Sequence, residues 1–567
     1  MSKGSLEITQ TQLPSQTTTP TAYSYPPLLS DHSFRLLKLF PGTGPERITV
    51  QLWQFELPSA PAYDAISYVW GDESSTISIT CDSQPLEITQ NLHWALYRVR
   101  DPKVASFVWA DAICIDQLNV LERNSQVALM GSIYGNARLV FVAMGDASGE
   151  DDRNVMTLIR DISSIWEIVT TRLEIGESFR DDPRWRSVAS IMDCTWFTRV
   201  WVVQEVGLAR HPIVLYGNTH FPYRELIKIV TWARSQTWSS SYWISGWIIH
   251  SAWSDWTQIP TFPNVGLFDL LSHGAMLSCS DPRDRVYAFL GHPLAKNTSG
   301  SSTLLAPDYT KDYREVYQEV SVLLLKRIGL RLLSSVEHTE ETIKEPFPSW
   351  VVRWDVAEVM NDISQYHDQF KCYPTNDTRL LHNTVQGNKL ISHGIFLETI
   401  AKSFPMRGRT DADVLTFLDH TSNTEISLHT MIHNFTPGNW RSSEIYGQNP
   451  QTAFLKTLSA GHYKAPFDAA THPDEISAIY HSVIGTCHKR CFAMTGSGLF
   501  VLAPWLTRPG DICCVLFGAG APFVLRPAGG SGEYRLLGEA YVGGIMDGEL
   551  KVMFSESQLS GREFVIS

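Results

Sequence analysis

Acidic side chains that close or interrupt apolar runs are the residues of this 567-residue chain whose placement could do chemistry. Asp72 ends "AYDAISYVWGD" (62–72), Asp111 and Asp116 interrupt "FVWADAICID" (107–116), and Asp146 follows "LVFVAMG" (139–145). A carboxylate inside a buried strand needs hydrogen-bond donors or a cation. Asp111 is therefore expected to be buried and paired, with Arg123 of the following helix as the preferred donor. A ligand-free ion pair and a binding role both stay open for it. A fifth acid, Glu205, lies in the aromatic helical stretch "WFTRVWVVQEVGLA" (196–209). There it is either a rim residue or an acid held in an apolar wall, where its proton affinity would rise toward acid–base use.

The elements that must position these acids follow from periodicity. Residues 63–69 form an apolar strand, and "TISITCDSQPLEIT" (76–89) reads as a hairpin turning at Asp82–Pro85. Thr89 is a plausible N-cap for a helix whose Leu92, Ala95, Leu96 and Val99 share one face. A strand over 107–115, a helix burying Val127, Met130, Ile133 or Tyr134, and Ala137, and a strand over 139–144 then make a βαβ unit. Such a unit implies a parallel sheet, and ligands of open parallel sheets bind beyond the carboxyl ends of the strands. Trp70-Gly71-Asp72, Asp116 and Gly145-Asp146 should share that edge.

Around this unit the chain divides by composition. Residues 1–28 are rich in Thr, Ser, Pro and Gln and read as a disordered tail. Residues 29–60 supply two strands, "SFRLLKLF" and "RITVQLWQFEL". Residues 61–210 form the α/β domain and 211–480 a mainly helical region. In the latter, "SYWISGWIIHSAWSDW" (241–256) is a packed helix, and Asp281–Asp284 is a turn capping the next helix. From about 481 to 567, short β-runs between glycine-rich turns fit a small barrel or sandwich.

The bulk numbers narrow the function. Hydrophobic residues at 43%, with 18 Trp, 20 Tyr and 25 Phe, supply more than one core. A net charge of −13 without a long basic run argues against nucleic acid or an anionic membrane as the main partner. No apolar run reaches the ~18 residues of a spanning helix. Nine scattered cysteines suit reduced thiols in the cytoplasm. Cys487, His488 and Cys491, with His481 nearby, look metal-like but lack a second ligand pair, so no metal is expected. The C-terminal glycines lack the strand-to-helix setting of a phosphate loop, and no cofactor is implied.

Four strings, "YDAISYVWGD", "LEITQNLHWAL", "VWADAICIDQLNVLERNSQVALMGSIYGNA" and "WFTRVWVVQEVGLA", together resemble the fungal heterokaryon incompatibility (HET) domain over about residues 60–210. Downstream, "SDPRDRVYAFLG", "PDYTKDYREVY", "PSWVVRWD" and "GDICCVLFGAGAPFVLRP" extend the resemblance over nearly the whole chain. It implies non-self recognition and the death of incompatible fused cells, with an allelic or non-allelic protein as partner. A weaker resemblance is to TIR domains. "YDAISYVWGDE" is similar to their first strand, and "RVWVVQEV" to their Trp-to-Glu helix, through Trp201 and Glu205. That resemblance implies a flavodoxin-like sheet, NAD as a substrate cleaved at the nicotinamide bond, Glu205 as the catalytic carboxylate, and homo-oligomerisation. Ser67, Trp70 and Gly71 would lie beside the substrate. The alternatives are a death-signalling adaptor without turnover, or a HET-like protein serving a metabolic gene cluster.

Overall fold

The computed structural model describes residues 23–171, 179–235, 266–296, 303–356, 363, 383–405, 450–462, 483, 486–487, 489–529, 532–550 and 560–567. The chain divides into two compact units, one of residues 1–198 and 202–256, the other of 199–201 and 257–567. The expected helix at 241–256 lies outside the described residues, as does most of the expected N-terminal tail. Residues 23–28 of that tail are placed: the Tyr25 ring lies over the Arg35 guanidinium, and the Pro26 carbonyl accepts from it.

The first unit is built on one mixed nine-stranded sheet. Its strands are β1 (Ser33–Leu39), β2 (Thr49–Glu56), β3 (Asp64–Tyr68), β4 (Thr76–Cys81), β5 (Gln84–Thr89), β6 (Ser106–Trp109), β7 (Val140–Gly145), β8 (Pro212–Tyr216) and β9 (Thr219–Pro222). They lie in the order β5-β4-β2-β1-β6-β3-β7-β8-β9. The inner four, β6-β3-β7-β8, are mutually parallel. Numbered along the chain they run second, first, third, fourth, which is the start of the flavodoxin-like order, with its switch point between β3 and β7.

All five residues of β3 are buried, as expected for a strand covered on both faces. The wholly parallel sheet expected from the sequence is corrected by β1 and β9, which pair antiparallel at the two flanks of the inner four. Both expected domain boundaries shift as well. β1 and β2 belong to the same sheet, and β8 and β9 complete it beyond residue 210.

Helices fill in the crossovers. α1 (Gln90–Val99) buries Leu92, Ala95 and Leu96, each leucine contributing about 2 kcal/mol by removal from water. After β6 the expected strand stops early. Asp111 opens a single turn, α2 (Asp111–Cys114), because its carboxylate accepts the Ala112 amide and an acid suits a helix N-terminus. α3 (Val120–Asn136) starts where the Asn119 side chain accepts the Glu122 amide, and buries Val127, Met130, Ile133 and Tyr134. Then come α4 (Asp151–Ser164), α5 (Trp166–Thr171), α6 (Trp185–Met192), α7 (Val202–Gly207) and α8 (Tyr223–Ser235). α4, α6, α7 and α8 share a core with Val142 and Val214 of the sheet.

The second unit contains α9 (Leu267–Gly274), α10 (Asp284–Tyr287), α11 (Tyr313–Ile328) and α12 (Pro450–Leu458). A capping box of Asp312 and Glu315 starts α11. Its strands are β10 (Thr384–Gln386), β11 (Lys389–Pro405), β12 (Arg490–Thr495), β13 (Phe500–Pro504), β14 (Ile512–Leu516), β15 (Phe523–Pro527), β16 (Glu533–Glu539), β17 (Tyr541–Val542) and β18 (Gly561–Ile566). The circuit β11-β14-β15-β16-β18 returns to β11 and closes a barrel. Closure resolves the choice between barrel and sandwich. The 17-residue β11 moves the start of the β-rich region upstream, from about 481 to 384. Among the described residues no helix is long and apolar enough to cross a membrane.

Candidate functional site

The carboxyl edge of the inner strands gathers the sequence-chosen residues, though in two sets rather than one. The first set lies under β3. Ser67, wholly buried, donates its hydroxyl to Glu205 Oε2 at 2.5 Å and accepts the Trp196 indole N–H at 2.8 Å. An indole nitrogen can only donate, so it turns the serine proton toward the carboxylate. The result is a one-way chain, indole to hydroxyl to carboxylate, whose last link is charge-assisted. Glu205 is placed by α7, whose Val202 and Val206 enter the core beside it. Only 2% of Glu205 is exposed. The acid is therefore buried and not on an open rim.

The second set lies at the strand ends. The Trp70 indole N–H donates to Asp111 Oδ2 at 2.9 Å, and the Ala112 amide donates to the other carboxylate oxygen. Asp111 is half-buried, not buried as expected, and its donors are Trp70 and its own turn in place of Arg123. The buried ion pair of this region joins other residues. Arg35 of β1, fully buried, pairs with Glu122 of α3, which also accepts the Asp116 amide at 2.7 Å. Sequence reasoning missed Arg35; a lone arginine inside "SFRLLKLF" was the available signal.

Gly71 follows Trp70 at φ +78°, and a Cβ there would meet the Asn91 amide nitrogen at 2.6 Å. Asn91 in turn donates to the Val69 carbonyl, so a turn of this shape requires glycine. Asp72 is exposed, and the Ser74 hydroxyl and amide hold its carboxyl below the usual range. Asp116 caps its own loop by accepting the Leu118 amide. The side-chain bonds of these two acids are local turn bonds. Asp146 accepts the Trp94 indole N–H at 2.9 Å, a partner the sequence reading did not name.

Among the described residues no group of three or more His, Cys, Asp or Glu could hold a metal ion. The Cys487 and Cys491 thiols lie on the Leu458 and Pro504 carbonyls, and burial pushes each up to about 12. His481 and His488 lie outside the described residues. A buried carboxylate oriented by a serine and a tryptophan can hold a sugar hydroxyl or stabilise a neighbouring cation. It needs access to do either.

Comparison with known proteins agrees with this architecture. The heterokaryon incompatibility protein (HET) family matches residues 63–205, from the residue before β3 to Glu205 itself. The Het-6 beta-barrel domain matches residues 411–558. The Heterokaryon incompatibility protein 6, OR allele, of Neurospora crassa is 23% identical over 660 aligned positions, covering 92% of this chain and 95% of that protein. No solved structure matches significantly. The HET match ends on Glu205 itself and the barrel match takes in β14, β15 and β16 of the closed circuit, so the chain carries a heterokaryon incompatibility (HET) domain followed by a Het-6 beta-barrel domain, and is similar over most of its length to a fungal heterokaryon incompatibility protein.

Proposed function

We propose that this protein acts in non-self recognition between fused fungal cells. In this reading its HET domain kills incompatible cells by hydrolysing NAD to nicotinamide and ADP-ribose. The observation that carries the reading is the meeting of Glu205 and Ser67 beside the switch point of a flavodoxin-ordered set of strands. The resemblance to TIR domains supports this reading, since it would make Glu205 the catalytic carboxylate. Cleavage of the N-glycosidic bond builds positive charge on the ribose, which a carboxylate at this edge would stabilise while water completes the exchange. Trp70, half-buried two residues beyond β3, lies at most about 11 Å from Ser67, three residues along the chain. Both residues are thus within reach of one dinucleotide. NAD is a substrate here, no resident cofactor is needed, and the protein works in the cytoplasm with an allelic or non-allelic partner.

One observation favours a second reading, a signalling adaptor without turnover. Ser67 is 0% and Glu205 2% exposed, so this closed state has to open before NAD can reach the acid. Assembly of several copies would supply that opening. The test is nicotinamide release from NAD by the purified full-length protein, with and without a crowding agent that promotes assembly. Release on assembly supports the hydrolase. Intact NAD under both conditions, from protein that kills when expressed, supports the adaptor.

A further inference from the structure

The barrel of the second unit contributes no residue to the Ser67–Glu205 pair, yet one of its strands presents a braced cation. On β18, Phe564 and Ile566 are wholly buried. Arg562 shares their face by alternation but is exposed. Its guanidinium carbon lies 4.6 Å from the ring centre of Phe396 on β11, 4.8 Å from that of Phe564 and 5.9 Å from that of Tyr534 on β16. The Phe564 and Tyr534 rings are 5.6 Å apart, so they brace each other as well. Ring faces attract the cation and a planar guanidinium stacks on them, which holds its plane in one orientation. Among the described residues its hydrogen bond goes to the Tyr534 hydroxyl at 3.2 Å, and no carboxylate pairs with it. Glu563, the next residue, faces the opposite side of the strand. The other guanidinium N–H groups have no acceptor among the described residues.

We propose that Arg562, flanked by Phe396 and Tyr534, is a docking site for an acidic segment of a partner protein, whose carboxylate takes two parallel N–H···O bonds from the guanidinium. A carboxylate matches the fork of a guanidinium, and a side chain already held in place loses little freedom on binding. Arginine beside aromatic rings is also the combination that dominates the energy of protein interfaces. Phe396 and Tyr534 are only half-buried, so each keeps ring surface for an apolar residue next to that acid. A peptide spans this extent and a lone carboxylate does not. The chain carries a net charge of −13 and repels an acidic segment at long range. Binding must then come from contact at this uncompensated cation, and it should persist in physiological salt, which screens the repulsion within about 8 Å. No residue of the proposed hydrolase site takes part, so the inference stands or falls independently of that reading.

The test is fluorescence anisotropy of a fluorescein-labelled peptide of alternating glutamate and phenylalanine, titrated with the full-length protein in physiological salt. A peptide with lysine in place of glutamate is the control. The acidic peptide should bind and the lysine peptide should not. Arg562→Ala should weaken binding by about tenfold or more, the size of one charge-assisted bond. Arg562→Lys keeps the charge but loses the planar fork, so it should weaken binding nearly as much. Phe396→Leu, which removes one of the bracing rings, should weaken it to a lesser degree. Millimolar acetate should leave the peptide bound, whereas its displacement would make a lone carboxylate the ligand and overturn the assignment of a protein partner. No binding to the wild type, or equal binding to wild type and Arg562→Ala, would also overturn the proposal. Should Arg562→Ala fail to fold, Arg562→Lys against wild type decides it.

Discussion

Two acids in the same stretch of chain, Asp111 and Glu122, carry very different energies because of what surrounds them. Asp111 is half-buried, with a neutral indole and an amide as donors. Glu122 neutralises Arg35, whose side chain is 0% exposed. Asp111→Ala should therefore cost about 1 kcal/mol. Glu122→Ala strands a buried guanidinium and should cost about 3–5 kcal/mol. Urea unfolding of the two variants checks the order; equal midpoints would contradict it. The sequence showed that this stretch carries acids at a strand end. It could not show which acid finds the cation, because Arg35 arrives from β1, 87 residues away along the chain.

At the scale of the element, the turn after β3 depends on Gly71. Its φ of +78° and the approach of Asn91 act together, so Gly71→Ala should destabilise the first unit by about 2 kcal/mol or more. Adding Asn91→Ala should recover only part of this, since it makes room without changing φ. Full recovery by the double variant, read as its thermal midpoint, would mean that crowding alone sets the requirement. The parallel strands and the faces of α1 and α3 were legible in the sequence, because burial on both sides of a strand and a 3.6-residue period leave direct traces. The break after β6 was not. A carboxylate accepting its neighbour's amide turned an apolar run into the single turn α2, and apolar composition does not report that bond. β1 and β11 escaped the expected boundaries for a related reason, since their partners are distant strands and local pattern does not specify long-range pairing.

Across the whole molecule, the second unit carries two neutral histidines that make its stability depend on pH. Burial pushes His292 and His338 down to about 4 from the ordinary 6.5. The His338 ring is held between Thr342 and the Ser349 carbonyl. The unfolded chain binds these protons below about pH 6.5 while the folded unit refuses them until about pH 4. Stability is then complete above pH 6.5 and falls across that window, by up to about 3 kcal/mol for each ring. Thermal unfolding between pH 7 and 4 should show this decline, with a shallower slope in His338→Gln. An identical slope in that variant would remove His338 from the account.

The HET and Het-6 barrel domains say what kind of molecule this is; the proposed NAD hydrolysis turns on one buried acid, Glu205. Glu205→Gln keeps the shape of the side chain and its hydrogen bond to Ser67 while removing the charge that a developing ribose cation requires. The decisive measurement follows nicotinamide release and cell killing side by side for wild-type and Glu205→Gln proteins expressed at equal levels and equally folded. The account predicts that both activities disappear together in the variant. Undiminished killing by Glu205→Gln would contradict it and leave the HET domain as an adaptor.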